Sequence, residues 1–329
     1  MILQNHATSL LTKSIKAFTA HLIDYAGLFP PAKLTIDTAL ENYINYINGE
    51  DKWMISTFIC PVKLLSELQI IFNKTYPLEK LINLSVLGRG GHSKDDFVKN
   101  FEEDLIYWKN INSDQSIKTN LFEIKLPDGL ITSHDENDIS DFIDYIFKKI
   151  DEEIAHPVFI FLEGHVGTEW KKNISALIEG IKIHNNKKKN CGFKFRTGGV
   201  EQYSFPTSEQ IAFCIRECID REIQIKFTAG LHHPFRHYDK EIDIIMHGFI
   251  NVFGAGIISL RHNLSNAGLK NIISDDNPKN FIFTDEFFSW NDWKIPVEDI
   301  EFARKDLMIS FGSCSFEEPL EDLRLANLL

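Results

Sequence analysis

The chain has no uninterrupted apolar stretch near the roughly 20 residues that a membrane-spanning helix needs, so no membrane partner is expected. Cysteine is scarce: the five, Cys60, Cys191, Cys214, Cys218 and Cys314, are odd in number and scattered. That argues against a disulfide framework and fits a reducing, cytoplasmic location. Cys214 and Cys218, four apart on an expected helix, read as packing residues. Basic excess is also missing. Thirty-five Lys and Arg stand against 47 Asp and Glu, a net charge of −12. A nucleic-acid binder would carry a clustered basic face, so no nucleic-acid partner is expected. The lysine run at 187–189 reads as a solvated helix end. The first residues lack the charged-then-apolar order of a secretory signal. They read instead as an amphipathic helix within 1–20, with Leu10, Leu11, Ile15 and Phe18 on one side. There is no low-complexity linker and no internal repeat.

What is present is a repeated alternation of short apolar runs with longer segments of helical periodicity, the mark of βα units. Eight runs qualify as strands: His21–Ala26, Met54–Cys60, Ile82–Leu87, Asn120–Lys125, Pro157–Glu163, Gly192–Thr197, Ile223–Thr228 and Met308–Ser313. Helical patterns cover Ile36–Ile47, Val62–Phe72, Asp95–Ile111, Ile139–Ile150, Lys171–His184, Thr207–Asp220 and Pro319–Leu328. In the sixth of these Thr207 or Ser208 is the N-cap, and Ile211, Ile215 and Ile219 share a face. The expected fold is an α/β, (β/α)8 TIM-type barrel spanning 1–329 as one domain; barrels of about 250 residues or more fold as one unit. Residues 240–260 read as one buried helix, a reading weakened by Gly248, Gly254 and Gly256. The alternative makes Phe249–Phe253 the eighth strand; Met308–Ser313 is preferred because a helix-forming segment follows it directly. Residues 278–296, rich in Phe and Trp, read as an aromatic hairpin insertion.

A charge inside a barrel strand is expensive unless it opens into the mouth at the carboxyl ends of the strands. Side chains two apart share a strand face. Lys194 and Arg196 are so spaced, as are Lys226 and Thr228, and Glu123 and Lys125. Asp24 ends the first strand, Glu163 and His165 end the fifth, and Arg89 follows the third. Basic groups gathered in one mouth would favour a small anionic metabolite, a carboxylate or phosphate. They would also depress one another's pKa, which makes a lysine a neutral nucleophile. Lys194 is then the expected nucleophile, with Lys226 as its activator and Glu123, Asp24 or His232 moving protons. Arg196, Thr197, Lys125, Arg89, Thr228 and His233 are expected to bind substrate. RGGH at 89–92 reads as a turn, the alternative being an anion held through its backbone N–H groups. No cofactor is required. A divalent metal is an open alternative, held by His232 or His233 with Glu163, His165 or His237, although no H-x-H or HExxH spacing is present. His21 and His247 read as packing or hydrogen-bonding histidines.

The stretches KFRTGGVEQYSFPTSEQIAFCIREC, KFTAGLHHPFRHYD, MHGF and SFGSCSFEEPLEDL, with DYAGLFPPA near the start, resemble an uncharacterised bacterial protein family, which implies no activity. A second, local resemblance is to class I aldolases of the deoxyribose-phosphate type. Lys194-Phe195-Arg196-Thr197-Gly198 is similar to their strand-six Lys-x-x-Thr-Gly motif, and Lys226 precedes Gly230 as their strand-seven lysine precedes a glycine. That resemblance implies Lys194 as Schiff-base nucleophile and Lys226 as electrostatic activator. The chain departs from it at Leu231-His232-His233-Pro234, which replaces the aldolases' glycine-rich phosphate loop. Their strand-four aspartate has only Glu123 as a candidate counterpart. Three functions stay open: a Schiff-base lyase, a metal-assisted hydrolase or isomerase using His232 and His233, and a non-catalytic barrel that binds an anionic metabolite.

Overall fold

Eight parallel strands close on themselves: Ile23–Tyr25, Ile55–Pro61, Ile82–Leu87, Ile117–Lys125, Phe159–Glu163, Cys191–Arg196, Ile225–Thr228 and Met308–Ser313. Each pairs with the next in the chain, and the eighth returns to the first through Ile23–Phe311, Asp24–Gly312 and Tyr25–Ser313. The computed structural model describes residues 11–76, 81–111, 114–164, 167–199, 204–240 and 243–329. The protein is an α/β barrel of the (β/α)8 type, with helices alternating between the strands. No helix among the described residues is long and apolar enough to cross a membrane.

Burial on both strand faces explains why the strands read as apolar runs. Helices cover the outside, most with one buried apolar stripe. In Glu136–Glu153, Ile139, Ile143, Ile146, Phe147 and Ile150 are buried at helical spacing, and Asp135 caps the first turn by accepting from the Asn137 and Asp138 N–H groups. Ser208–Arg221 buries Ile211, Ile215 and Cys218 and begins in a reciprocal capping box between Thr207 and Gln210. Thr207→Ala should therefore cost about 1 kcal/mol, read as a lower urea midpoint with an unchanged slope.

Between the seventh and eighth strands the structure departs from the sequence reading. Residues 240–260 are not one helix. His237–Asp239 and Ile244–Met246 form an antiparallel hairpin, and the helix runs only from Phe249 to His262. Asp243 has φ of 54°, which turns the chain, and Gly248 is extended at the N-cap. The other two glycines do not break the helix; they let it pack closely. A Cβ on Gly254 would lie 2.9 Å from the Phe288 ring, and one on Gly256 would lie 2.3 Å from the Met308 sulfur. Phe249–Phe253 is thus helical, and Met308–Ser313 is the eighth strand.

The aromatic segment is a three-stranded antiparallel sheet, Phe281–Phe283, Phe287–Trp290 and Trp293–Pro296, rather than a hairpin. It packs on the N-terminal helix, Lys13–Thr19, where Phe18 meets the rings of Phe283 at 5.4 Å and Phe288 at 5.2 Å. Of the expected amphipathic face Ile15 and Phe18 are buried, whereas Leu11 precedes the helix and is exposed; Leu10 lies outside the described residues. Buried Arg304, on the helix Val297–Asp306, donates to the carbonyls of Phe18, Ala20, Met308 and Ile309 and ties this helix to the barrel.

Candidate active site

Period-two alternation turns Asp24, Glu123, Glu163, Lys194 and Lys226 inward from five strands, and they meet in one chain of alternating charge. The Lys226 ammonium lies 2.8 Å from Asp24 Oδ2 and 2.5 Å from Glu123 Oε1. Lys194 Nζ lies 2.9 Å from Glu123 Oε2 and 2.9 Å from Glu163 Oε2. Arg196 Nε closes the series, 3.2 Å from Glu163 Oε1. Asp24, Glu123, Lys194 and Lys226 are each at most 3% exposed, whereas Arg196 is exposed. The chain therefore runs from the barrel interior to its carboxyl-end rim. Three carboxylates alternate with three cations, so no member is left uncompensated.

Hydroxyls that the sequence reading passed over complete the coordination. Ser85 donates to Glu123 Oε1 at 2.6 Å. Thr57 donates to Asp24 Oδ1 from its hydroxyl at 2.7 Å and from its N–H at 3.1 Å, and Ser310 donates to Asp24 Oδ2 at 2.5 Å. A polar residue at an inward strand position was the signal available for each. Below the ions the Phe161 ring lies 5.4 Å from Lys226 Nζ, within cation–π range. Gly192 makes room for that ring, since a Cβ there would lie 2.6 Å from it.

The electrostatics overturn the expectation of a neutral lysine. Burial alone would lower the Lys194 pKa, but the Glu123 and Glu163 carboxylates outweigh it and hold the amine protonated, above the ordinary lysine value. Lys226 is raised in the same way by Asp24 and Glu123. The sequence reading set Lys194 beside Arg196 and Lys226, and the acids that stand between these cations reverse the sign. Conversely, burial would raise Glu123 and Glu163, but the cations bring both below the ordinary carboxylate value. A depressed carboxylate contributes stability that is full above its unfolded pKa of about 4.3. That contribution is lost as pH falls through the folded value. Acid titration of stability should hence show a loss beginning below about pH 5 and continuing well into acid. Glu163→Gln should be less stable at neutral pH and should show a shallower acid loss, measured by urea denaturation across that range.

The remaining expected residues separate. Thr197 is buried and donates to the Ala229 carbonyl at 2.5 Å, joining the loops after the sixth and seventh strands. Gly230 has φ of 74°, and a Cβ there would lie 2.5 Å from the Thr197 carbonyl oxygen. Gly230→Ala should therefore cost more than about 1 kcal/mol and loosen the same loops, seen as lower denaturant midpoint and faster amide exchange in them. Thr228 is partly exposed at the end of the seventh strand, across from Gly312. Lys125 turns to the rim and pairs with Asp128 at 2.8 Å. Arg89 is not offered to a substrate: it folds back on the helix Lys94–Ile111, onto Asp104 at 2.5 Å and Glu103 at 3.0 Å, with its third contact on the Asn100 carbonyl. The RGGH segment is irregular, with Gly90 at φ of 67°, and its Arg89 N–H donates to Asp104 Oδ2 at 2.9 Å.

His232 and His233 both turn to the last helix, Glu317–Leu325. His232 Nδ1 is 3.0 Å from Glu318 Oε2, and His233 Nδ1 is 2.5 Å from Asp322 Oδ2, with Nε2 3.8 Å from Glu318. The His232 hydrogen bond and the charges of the nearby histidines lower the Glu318 pKa. The His237 ring stands 4.3 Å from that of His233. Glu318 and Asp322 were missed in the sequence; their four-residue spacing on one helix face was the available signal. Glu163, expected as a metal partner, is held by Lys194 and Arg196, and His165 lies outside the described residues. Among the described residues no group of three or more His, Cys, Asp or Glu side chains is placed to hold a metal ion. His21 and His247 hydrogen-bond the carbonyls of Ile55 and Pro206, as structural histidines do.

No protein-family model matches the sequence, and no curated protein matches it. The fold class and this interior ion chain thus carry the functional reading.

Proposed function

We propose that the protein is an enzyme in which Lys194 forms a Schiff base with a small carbonyl compound, and that the iminium then makes or breaks a bond beside the carbonyl carbon, as in an aldolase-like lyase. The single observation behind this reading is the placement of Glu123 between two buried lysines at the carboxyl-end interior of the barrel. Barrel enzymes hold their catalytic groups at that end. A lysine kept protonated at rest needs a base close by, and Lys194 has two carboxylates within 2.9 Å. Its proton passes to Glu163 or Glu123 as the carbonyl arrives. The freed amine attacks the carbonyl carbon, the oxygen leaves as water after protonation, and the iminium draws electrons from the neighbouring bond. Glu123, tied to Lys226 and Ser85, is positioned to take and return the next proton. The local resemblance to class I aldolases supports the same roles for Lys194 and Lys226.

The test is covalent trapping. The protein is incubated with short aldehydes, ketones and keto acids in the presence of borohydride, and adducts are mapped by mass spectrometry. Selective adducts at Lys194 are expected. Labelling of Lys194 no faster than exposed Lys171 or Lys188 would overturn the proposal.

A further inference from the structure

We infer that the carbonyl substrate of this site is uncharged, an aldehyde or ketone without phosphate or carboxylate; the inference rests on the Schiff-base reading of Lys194. A mouth built for an anion keeps cations that no protein carboxylate has claimed. Here the cations expected to supply that charge are taken. Lys194 and Lys226 each contact two carboxylates, Arg196 contacts Glu163, Lys125 contacts Asp128, and Arg89 contacts Asp104 and Glu103. Glu163, part of the ion chain's rim, stands between Lys194 and Arg196, so an anionic group reaching Arg196 meets a carboxylate there.

The second observation concerns the loops after the seventh and eighth strands, where barrels of this class commonly hold a phosphate against a helix N-terminus. In this protein Glu317 and Glu318 occupy the first turn of the helix after the eighth strand. Glu318 and Asp322 reach across to His232 and His233, so carboxylates bridge the place where a phosphate would sit. Residues 165–166 and 200–203 lie outside the described residues; their sequences, His-Val and Val-Glu-Gln-Tyr, contain no lysine or arginine. The third observation is charge conservation in the reaction. Turning the Lys194 ammonium into an iminium keeps one positive charge, so with an uncharged substrate the chain stays at three cations and three carboxylates. An anionic substrate adds a negative charge with no partner. On loops at this end of the barrel, Lys33, Lys63, Arg236 and Lys240 have no ion pair among the described residues, and the test isolates them.

Trapping rates at Lys194 are compared for pairs matched in carbon skeleton: glyceraldehyde with glyceraldehyde 3-phosphate, and butanal with succinic semialdehyde. Each rate is divided by that of free Nα-acetyl-lysine. The uncharged member should label at least about tenfold faster. Equal or faster labelling by the charged member overturns the inference while leaving the Schiff base standing. A second measurement does not need covalent chemistry: inorganic phosphate, glycerol 3-phosphate and succinate are titrated against thermal unfolding at fixed ionic strength. No saturable rise in midpoint is expected. Any saturable rise overturns the inference, and its loss in Arg196→Gln, Arg236→Gln, Lys33→Gln, Lys63→Gln or Lys240→Gln locates the anion. If no carbonyl labels Lys194, the Schiff-base reading fails, and the anion titration alone decides whether the mouth favours charge.

Discussion

Replacing Glu123 with alanine is expected to destabilise the fold by about 3 to 5 kcal/mol, the usual consequence of removing one partner from a buried ionic group. The side chain is fully buried and touches both Lys194 and Lys226, so its loss strips one carboxylate from each ammonium in a place that water does not reach. It also leaves the Ser85 hydroxyl without its acceptor. Glu123→Gln keeps the shape and one acceptor and should cost less. Ser85→Ala, which removes a single hydrogen bond, should cost about 1 kcal/mol. Urea denaturation followed by circular dichroism ranks the three. A Glu123→Ala loss no larger than that of Ser85→Ala would mean that the ammonium groups find other partners, and that the ion chain is not the organising feature of the interior.

The second large effect is chemical. Lys194→Arg and Lys194→Met should abolish the borohydride-trapped adduct, because neither side chain offers an amine. The pH dependence in the unmodified protein is the sharper readout. Glu123 and Glu163 hold Lys194 protonated above the ordinary lysine value, so the neutral fraction is small at neutral pH. With a non-specific carbonyl that does not draw the proton away, labelling should rise about tenfold per pH unit from about pH 6 to about pH 9, without a plateau, because the lysine reference value of about 10.4 is itself higher. A plateau near pH 7 would show a neutral lysine, as the sequence alone suggested, and would contradict the paired geometry. In Glu163→Gln one of the two carboxylates is gone, so the whole profile should move to lower pH.

Much of this architecture was legible in the chain. The eight apolar runs correspond to the eight strands within a few residues, because each is covered on both faces and must read as apolar whatever its neighbours are. The choice of Met308–Ser313 over Phe249–Phe253 held because helical sequence follows it at once. The stretch 240–260 was misread because helical periodicity in a short apolar segment does not distinguish a hairpin followed by a helix from one long helix. The turn at Asp243 depends on a backbone conformation that aspartate adopts only when its surroundings favour it.

The sequence by itself determined the barrel, the strands that carry charge, and, through the period of two, that Lys194 and Arg196 share a face. It also marked Asp24, Glu123 and Glu163 as strand-borne acids. Only the tertiary structure decided which charge meets which. Lys226 and Glu123 are 103 residues apart in the chain and 2.5 Å apart in space. Arg89, equally prominent in the sequence, was claimed by its own following helix. Proton affinity follows distance through space, so the sign of the Lys194 shift could not be read from residues adjacent in sequence. Closure of the barrel placed two carboxylates against that amine, and a lysine expected to be neutral is held protonated.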